Sequence, residues 1–494
     1  MRTAVAAFAC AFAALSLTGV AAGVVRYGVT EDAGKYATDG GAAFFSQLND
    51  VGLTENAITI YWDPSLPGGM AEPGLLDRVL PQAQARGIRI VLTVYALRPR
   101  MFTTSPTAEA QFVDFLMRLA RMYPQVTDFV VGNEPNQPRY WQPQFGSDGS
   151  DSAATGYEEL LARCYDALKS VNPRIRMLGF GLSQRGNDDP DAPSNASHSP
   201  VRFIHDVGAA YYASGRTRPI MDAFAFHPYP GSSADPLEKG LAWPNASVAN
   251  LDRIKQAVWD AFHGTAQPTF ENGLGLAITE VGWQVAASGA PYTGAENVPT
   301  TDEATQAAIY AQIVRLLACD PSVTEVLFLH LIDETDLSGF QSGLVRADGT
   351  RRASYGAVRD AIAATRGLCS GPQVVWRHAT GVVGAAVDLG GSRRRLFARR
   401  TRAAVATASE GAIALAGAVR VPESGTVSRS AVERALLQGT VAVAETDVPA
   451  NARVAVRLPE QPDAPGLYAY AVLVQAELNP QRRVVFVGRQ FRVG

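Results

Sequence analysis

Thr-Asp-Phe-Val-Val-Gly-Asn-Glu-Pro-Asn, residues 127–136, is the stretch on which the fold turns. Phe129, Val130 and Val131 form a short apolar run that stops at Gly132, the pattern of a buried strand. Pro135 ends any ladder, because it has no N–H to donate. Asn133 and Glu134 therefore stand at the C-terminal end of a core strand. A carboxylate is costly to bury there unless it is paired or put to use.

A second stretch has the same build. Residues 275–283, Gly-Leu-Ala-Ile-Thr-Glu-Val-Gly-Trp, are an apolar strand that ends in Glu280, with Gly282 and Trp283 after it. Two strand-end carboxylates far apart in the chain predict a pair that meets in space. Such a pair is the minimum equipment for hydrolysing a glycosidic bond.

Outward from these two strands, apolar runs alternate with amphipathic segments. The other strands are expected over 24–30, 57–62, 88–95, 175–182, 222–227 and 325–332. Helices are expected over 40–51, 73–86, 107–123, 153–171, 200–214, 248–263, 302–319 and 353–365. In 73–86, for example, Leu75, Leu76, Val79, Leu80 and Ala83 recur at helical spacing. Eight strand–helix units predict a (β/α)8 barrel. The rival, a doubly wound sheet, calls for a Gly-rich phosphate turn after a strand, and none of these turns supplies one.

In a barrel all eight strand ends open on one face, where catalytic side chains gather. Trp62, Glu134, His227, Tyr229, Glu280, His330 and Asp333 are all strand-end residues in this register. The loops 136–152, 183–199, 230–247 and 284–301 are long and carry Tyr140, Trp141, Trp243 and Tyr292. Long loops on the active face are usually functional walls, and aromatic rings there are candidates to stack on sugars. Asp188, Asp189 and Asp191 cluster after the fifth strand, but their spacing matches no calcium loop and favours a solvated turn.

The 494 residues exceed one ordinary domain and fit a barrel with a smaller partner. The chain is 47% hydrophobic and 18% charged, with a formal charge of −3, so nothing points to nucleic acid. Residues 1–22 are expected to be a signal peptide: Arg2, an apolar run over 4–20, then small residues at Val20, Ala21 and Ala22. The mature chain is then expected to be secreted, without a membrane span and as a monomer. Of the remaining cysteines, Cys319 and Cys369 lie at adjacent helix ends and are expected to pair, which an oxidising compartment permits. Cys164, in a helical pattern, is expected to be a buried thiol.

The barrel is expected to span 23–371. Beyond it, over 372–494, Val/Ala-rich segments of about six residues, separated by turns, predict an all-β sandwich. Its expected strands are 395–400, 403–407, 412–420, 440–445, 453–458, 467–476 and 483–491. Arg393, Arg394, Arg395, Arg399, Arg400 and Arg402 form a basic cluster, expected to be a charge-protected edge strand.

With these residues in place, 24–366 resembles clan A of the glycoside hydrolases, closest to families 5 and 39. The resemblance rests on Asn133-Glu134-Pro135, His227-Pro228-Tyr229 and Thr279-Glu280-Val281-Gly282-Trp283, in order on the fourth, sixth and seventh strands. It implies a retaining β-glycosidase acting on oligo- or polysaccharides or glycosides, with Glu134 as acid/base, Glu280 as nucleophile, no cofactor and no metal. It also implies sugar contacts from Asn133, His227, Tyr229 and Trp283. The pattern breaks on the eighth strand, where many relatives place a Trp. Here His330 and Asp333 are expected to take its place, and Trp62 to lie nearby. The rival from another class is a non-catalytic glycan-binding protein on a decayed barrel, against which the retained Asn133, Glu134, Tyr229 and Glu280 speak.

Overall fold

Parallel strands close into a ring in the order of the chain: β1 (Arg26–Thr30), β2 (Glu55–Trp62), β3 (Arg89–Ala96), β4 (Asp128–Val131), β5 (Arg176–Ser183), β6 (Ala223–His227), β7 (Gly275–Val281) and β8 (Val323–Leu329). β8 pairs back on β1 from Arg26↔Glu325 to Thr30↔Leu329, which makes the barrel. This computed structural model describes residues 23–389 and 403–494. The expected signal peptide, the expected strand 395–400 and the basic cluster from Arg393 to Arg402 lie outside the described residues.

The helices are α1 (Ala33–Tyr36), α2 (Ala42–Val51), α3 (Leu75–Ala85), α4 (Met101–Thr104), α5 (Ala108–Met122), α6 (Ser152–Val171), α7 (Pro200–Ala213), α8 (Leu251–Phe262), α9 (Glu303–Leu317) and α10 (Ala353–Thr365). The spacing that predicted them also sets their buried faces. α5 buries Phe112, Phe115, Leu116 and Leu119, and α3 buries Leu76, Val79, Leu80 and Ala83. Strand alternation divides the core in two. Ala57, Val91, Val130, Leu178, Ala225 and Leu327 pack inside the barrel, while Ile58, Ile60 and Trp62 of β2 belong to the layer between strands and helices.

The floor of the barrel is built from charge. Six strands bring an Arg or an acid to their N-terminal ends. Glu55 bridges Arg26 and Arg89, Asp128 bridges Arg89 and Arg176, and Glu325 bridges Arg176 and Arg26. The ring is closed and balanced, three cations to three anions, and its carboxylates are almost wholly buried. Burial pushes Glu55 up to about 7, with the charge of Glu325 adding to it and Arg26 and Arg89 opposing.

The C-terminal region continues with β9 (Ala386–Asp388), β10 (Ala403–Thr407), β11 (Ala412–Arg420), α11 (Arg429–Leu437), β12 (Val443–Val448), β13 (Arg453–Arg457), β14 (Gly466–Ala476) and β15 (Arg483–Val493). Two antiparallel sheets, β13-β10-β9 and β12-β11-β14-β15, share a core that includes Ala404, Ala406, Ala414, Val456, Val472 and Val474. The sandwich is as expected. α11 is not among the expected elements. Ser428 caps it, and Val432 and Leu436, four apart, cover Val419, Ala471 and Leu473 on the outer face of the larger sheet.

The two regions are tied together. Cys319, after α9, is bonded to Cys369, after α10, and Cys164 is a buried thiol, both as expected. The His378 ring stacks on Trp259 of α8 with centroids 4.1 Å apart, and its Nδ1 lies 2.7 Å from Glu271. Arg482, buried in the joint, donates to Asp260 of α8 at 2.7 Å and to Glu410 of the sandwich. Among the described residues no helix is long and apolar enough to cross a membrane.

Removing the Arg482 side chain strands two buried carboxylates at once. Arg482→Ala is therefore expected to destabilise the chain by about 3–5 kcal/mol. A urea denaturation midpoint that moves by less than about 0.5 kcal/mol equivalent would mean that this joint holds nothing.

Candidate active site

Glu134 follows β4 on a tight turn. Gly132 takes φ +86° and Glu134 itself φ +39°, a left-handed conformation that costs a non-glycine residue on the order of 1–3 kcal/mol. The Glu134 amide donates to Gly181 O of β5 at 2.9 Å, which holds the turn in place. Such strain collects at functional sites. Glu280 lies near the end of β7, where the register against β8 shifts between Ile278 and Val281. A shift of this kind re-aims side chains beside active sites.

His227, the last residue of β6, lies between the two carboxylates. Its Nδ1 is 3.1 Å from Glu134 Oε1 and 3.6 Å from Glu280 Oε2. One ligand atom from each of these three residues falls within 4.8 Å of the others. Tyr229 donates its hydroxyl to Glu280 Oε2 at 2.8 Å. His227 is buried, while both glutamates keep part of their side chains open. The imidazole thus forms the back of the site and the carboxylates its face.

The electrostatics follow from crowding. Burial disfavours a charged His227, but the charge of Glu280 and the contact with Glu134 outweigh it and raise its pKa. Burial raises Glu280, the negative charge of Glu134 adds to the rise, and His227 and Tyr229 oppose it. Burial also holds the Tyr229 phenol far above its ordinary value, so Tyr229 is a permanent donor to Glu280. Crowding therefore favours the protonated form of Glu280 and the charged form of His227 relative to the isolated groups.

Of the other expected contacts, Asn133 is buried beside Glu134 and lines a small cavity with Tyr95, Pro135 and Tyr140. His330 also reaches the site, with Nδ1 3.3 Å from Glu31 Oε2. Burial opposes its charge, but Glu31, with help from Glu334 and Glu280, pushes its pKa up to about 9.

Three expected contacts are corrected. Trp62 is 1% exposed and points away from the barrel interior, stacked on Phe102 and edge-on to Phe112. Its neighbour Tyr61 holds the inward position, because successive strand residues face opposite sides. Trp283 is also 1% exposed, with its indole N–H given to Asp235 O at 2.9 Å, so its faces are used in packing. Asp333 is buried and satisfied by Arg352, by the Tyr292 hydroxyl at 2.6 Å and by the Gly343 amide at 2.9 Å. It braces the loop after β8 and is too buried to face a sugar.

The loop aromatics divide in the same way. Trp141 packs on Phe102 in the core, Trp243 lies against the Arg253 guanidinium, and Tyr292 is bound to Asp333. Only Tyr140 stays with the carboxylates. It forms an edge-to-face series with Tyr95 and Tyr61, with centroids 5.6 and 5.2 Å apart. Burial raises the phenol pKa of both Tyr95 and Tyr140, and the charge of Glu280 contributes in each case. Phe340, 39% exposed and 6.2 Å from the Tyr229 ring, is a further open aromatic face beside the pair. Tyr61, Tyr95 and Phe340 are absent from the expected set. The parity of β2 and β3 could have shown the first two, since Thr59 and Thr93, two residues before them, alternate with large aliphatics on the opposite face.

No protein-family model matches this chain, and no curated protein sequence matches it. Among solved structures, the chain is similar to a family 39 glycoside hydrolase from the gut symbiont Bacteroides cellulosilyticus WH2, at 16% identity over 84% of this chain and 78% of that one, TM-score 0.47. It is similar to a monomeric beta-xylosidase from Caulobacter crescentus CB15, at 15% identity over 88% and 93%, TM-score 0.44. It is also similar to a GH5_18 structure from Streptomyces cattleya in complex with GlcNAc, at 18% identity over 75% and 86%, TM-score 0.49. The barrel is established by its own strand pairing.

His330 gives the site a pH signature. Its pKa is about 9 in the fold against about 6.5 in an unfolded chain. The stability it contributes is fully present below about pH 6.5 and is lost as the pH rises through about 9, roughly 2–4 kcal/mol in all. His330→Gln is expected to flatten that fall. Equal losses of stability in variant and parent across this window, by denaturant titration, would remove the assignment.

Proposed function

We propose that this chain is a retaining glycoside hydrolase that cleaves β-O-glycosidic bonds by double displacement. The observation that carries the reading is the placement of Glu134 and Glu280, from strands on different sides of the barrel mouth, with oxygens within 4.8 Å of each other and of His227. Retaining enzymes hold their carboxyl groups about 5–5.5 Å apart, whereas inverting enzymes leave roughly 6.5–9.5 Å for a water.

Glu280, with the Tyr229 hydroxyl as a fixed donor, is the carboxylate that attacks the anomeric carbon. Glu134 acts as the acid and gives a proton to the departing oxygen, with His227 Nδ1 beside its carboxyl. The C–O bond to the leaving group breaks as the bond to Glu280 forms. Glu134, now ionised, takes a proton from water as that water releases the sugar from Glu280, and the β configuration is restored. Asn133 is placed to hold the sugar 2-hydroxyl, and Tyr61, Tyr95, Tyr140 and Phe340 supply ring faces. No cofactor enters this scheme. The reading includes export, which the Cys319–Cys369 disulfide supports.

Azide rescue tests the roles. Glu280→Gly is expected to lose hydrolysis by at least about 10³-fold, because the covalent step is deleted, and to form an α-glycosyl azide from an activated aryl β-glycoside. Glu134→Ala is expected to keep forming the glycosyl-enzyme from such a substrate and to release a β-glycosyl azide. Swapped anomers would exchange the two roles, and full activity in both variants would place the chemistry elsewhere.

A further inference from the structure

A second group of metal-ligating side chains lies outside the catalytic pair. Asp151 is the N-cap of α6, His198 precedes α7, and Asp206 lies within α7. One ligand atom from each falls within 4.8 Å of the others. Asp151 Oδ2 and His198 Nδ1 face each other at 3.2 Å, are both buried, and have no hydrogen-bond partner among the described residues.

The remaining hydrogen bonds say what these two atoms present. His198 Nε2 lies 3.2 Å from Gln144 O, a carbonyl that can only accept, so Nε2 carries the proton and Nδ1 presents its lone pair. Asp151 Oδ1 accepts from the Ala154 amide at 2.7 Å, which leaves Oδ2 aimed at the imidazole. Two lone pairs in buried contact repel unless a proton or a metal ion sits between them. The fixed charges around them sum negative: the Asp206 carboxyl is in hydrogen-bond contact with Asp151, Asp188 adds a third carboxylate, and Arg202, 3.9 Å from Asp188, is a single cation.

We propose that Asp151, His198 and Asp206 hold a divalent ion of the zinc class, which pins the loops after β4 and β5 to α7. The mixed nitrogen and oxygen donors favour zinc over calcium, which takes oxygen alone. Bonds of about 2.0–2.2 Å place tetrahedral ligand atoms about 3.4 Å apart, which the 3.2 Å contact matches. The hydrogen bond from the other imidazole nitrogen to a backbone carbonyl is the arrangement that orients histidine ligands. The ion would act close to catalysis without taking part in it. His198 N donates to Asn136 O at 3.0 Å, and Asn136 Nδ2 returns a bond to His198 O at 2.9 Å, two residues beyond Glu134.

The test uses the untagged full chain, stripped with a chelator, dialysed and titrated with zinc alone by calorimetry, with Tm followed in parallel. One zinc equivalent is expected to bind and to raise Tm by at least about 3 °C. His198→Ala is expected to weaken that site by more than about 100-fold, and Glu280→Ala to leave it intact. If His198→Ala does not fold, Asp206→Asn serves in its place, and the parent titration stands without either. A stripped chain that takes up no zinc would mean that the contact is only a shared proton, and overturns the proposal. So would zinc binding that survives in His198→Ala and disappears in Glu280→Ala, since the ion would then belong to the catalytic pair. The readout is metal uptake, so it is independent of whether the chain hydrolyses glycosides.

Discussion

The closed ring of Arg26, Glu55, Arg89, Asp128, Arg176 and Glu325 is the constraint on which the rest of the barrel depends. Each acid is shared by two guanidinium groups, and each guanidinium by two acids. No single pair can be lost without leaving buried charge uncompensated, the situation that costs most in a low-dielectric interior. Because Arg26 and Glu325 belong to β1 and β8, the ring also fixes the seam at which the barrel closes. Closure in turn sets how far β4 lies from β7 across the mouth, and that distance is what the proposed chemistry uses.

The two ends of the barrel carry opposite electrostatic designs. At the floor the charges balance, and the ring is purely structural. At the mouth the carboxyl groups of Glu31, Glu134 and Glu280 face the imidazoles of His227 and His330, and burial raises Glu280 with no guanidinium set against it. An Arg beside the pair would favour both carboxylates as anions and oppose the proton transfer that the proposed mechanism requires. Imidazoles are weaker cations than guanidinium groups and can be titrated, so the mouth stays poised. The φ of +39° at Glu134 belongs to the same division: strain is tolerated at the mouth because the scaffold below is over-determined.

The sequence made legible whatever depends on strand ends. Glu134, His227, Tyr229 and Glu280 end or follow strands, the barrel brings such positions to one face, and these residues do meet. The misassigned residues went wrong for two reasons. Trp62 failed on parity, since knowing where β2 ends does not say which of Tyr61 and Trp62 faces inward. The small and polar side chains at Ala57 and Thr59 did carry that information. Asp333 failed on partnership, because Arg352 claims it from 19 positions further on, and no local pattern announces a buried ion pair. The floor ring left a readable trace, charged residues at or near the first positions of strands otherwise made of Val, Ile and Leu. α11 left a weak one, with only two buried side chains, inside a segment whose composition favours strands.

The loops above the mouth illustrate a limit of a different kind. Asp188, Asp189 and Asp191 drew attention because they are adjacent, yet Asp189 and Asp191 form an exposed turn in which the Asp191 amide donates to Asp189. The half-buried acids are Asp151, which a capping role already explains, and Asp206, which lies within α7. Adjacency in sequence marks solvated charge, because like charges close together are tolerated best in water. Charges that must be compensated come together from separate elements, and only the fold assembles them. The same logic joins Glu134 to Glu280 and Asp151 to His198 and Asp206. The first group is visible early because strand ends are a predictable meeting place, and the second is not because a helix cap, a loop and a helix interior have none.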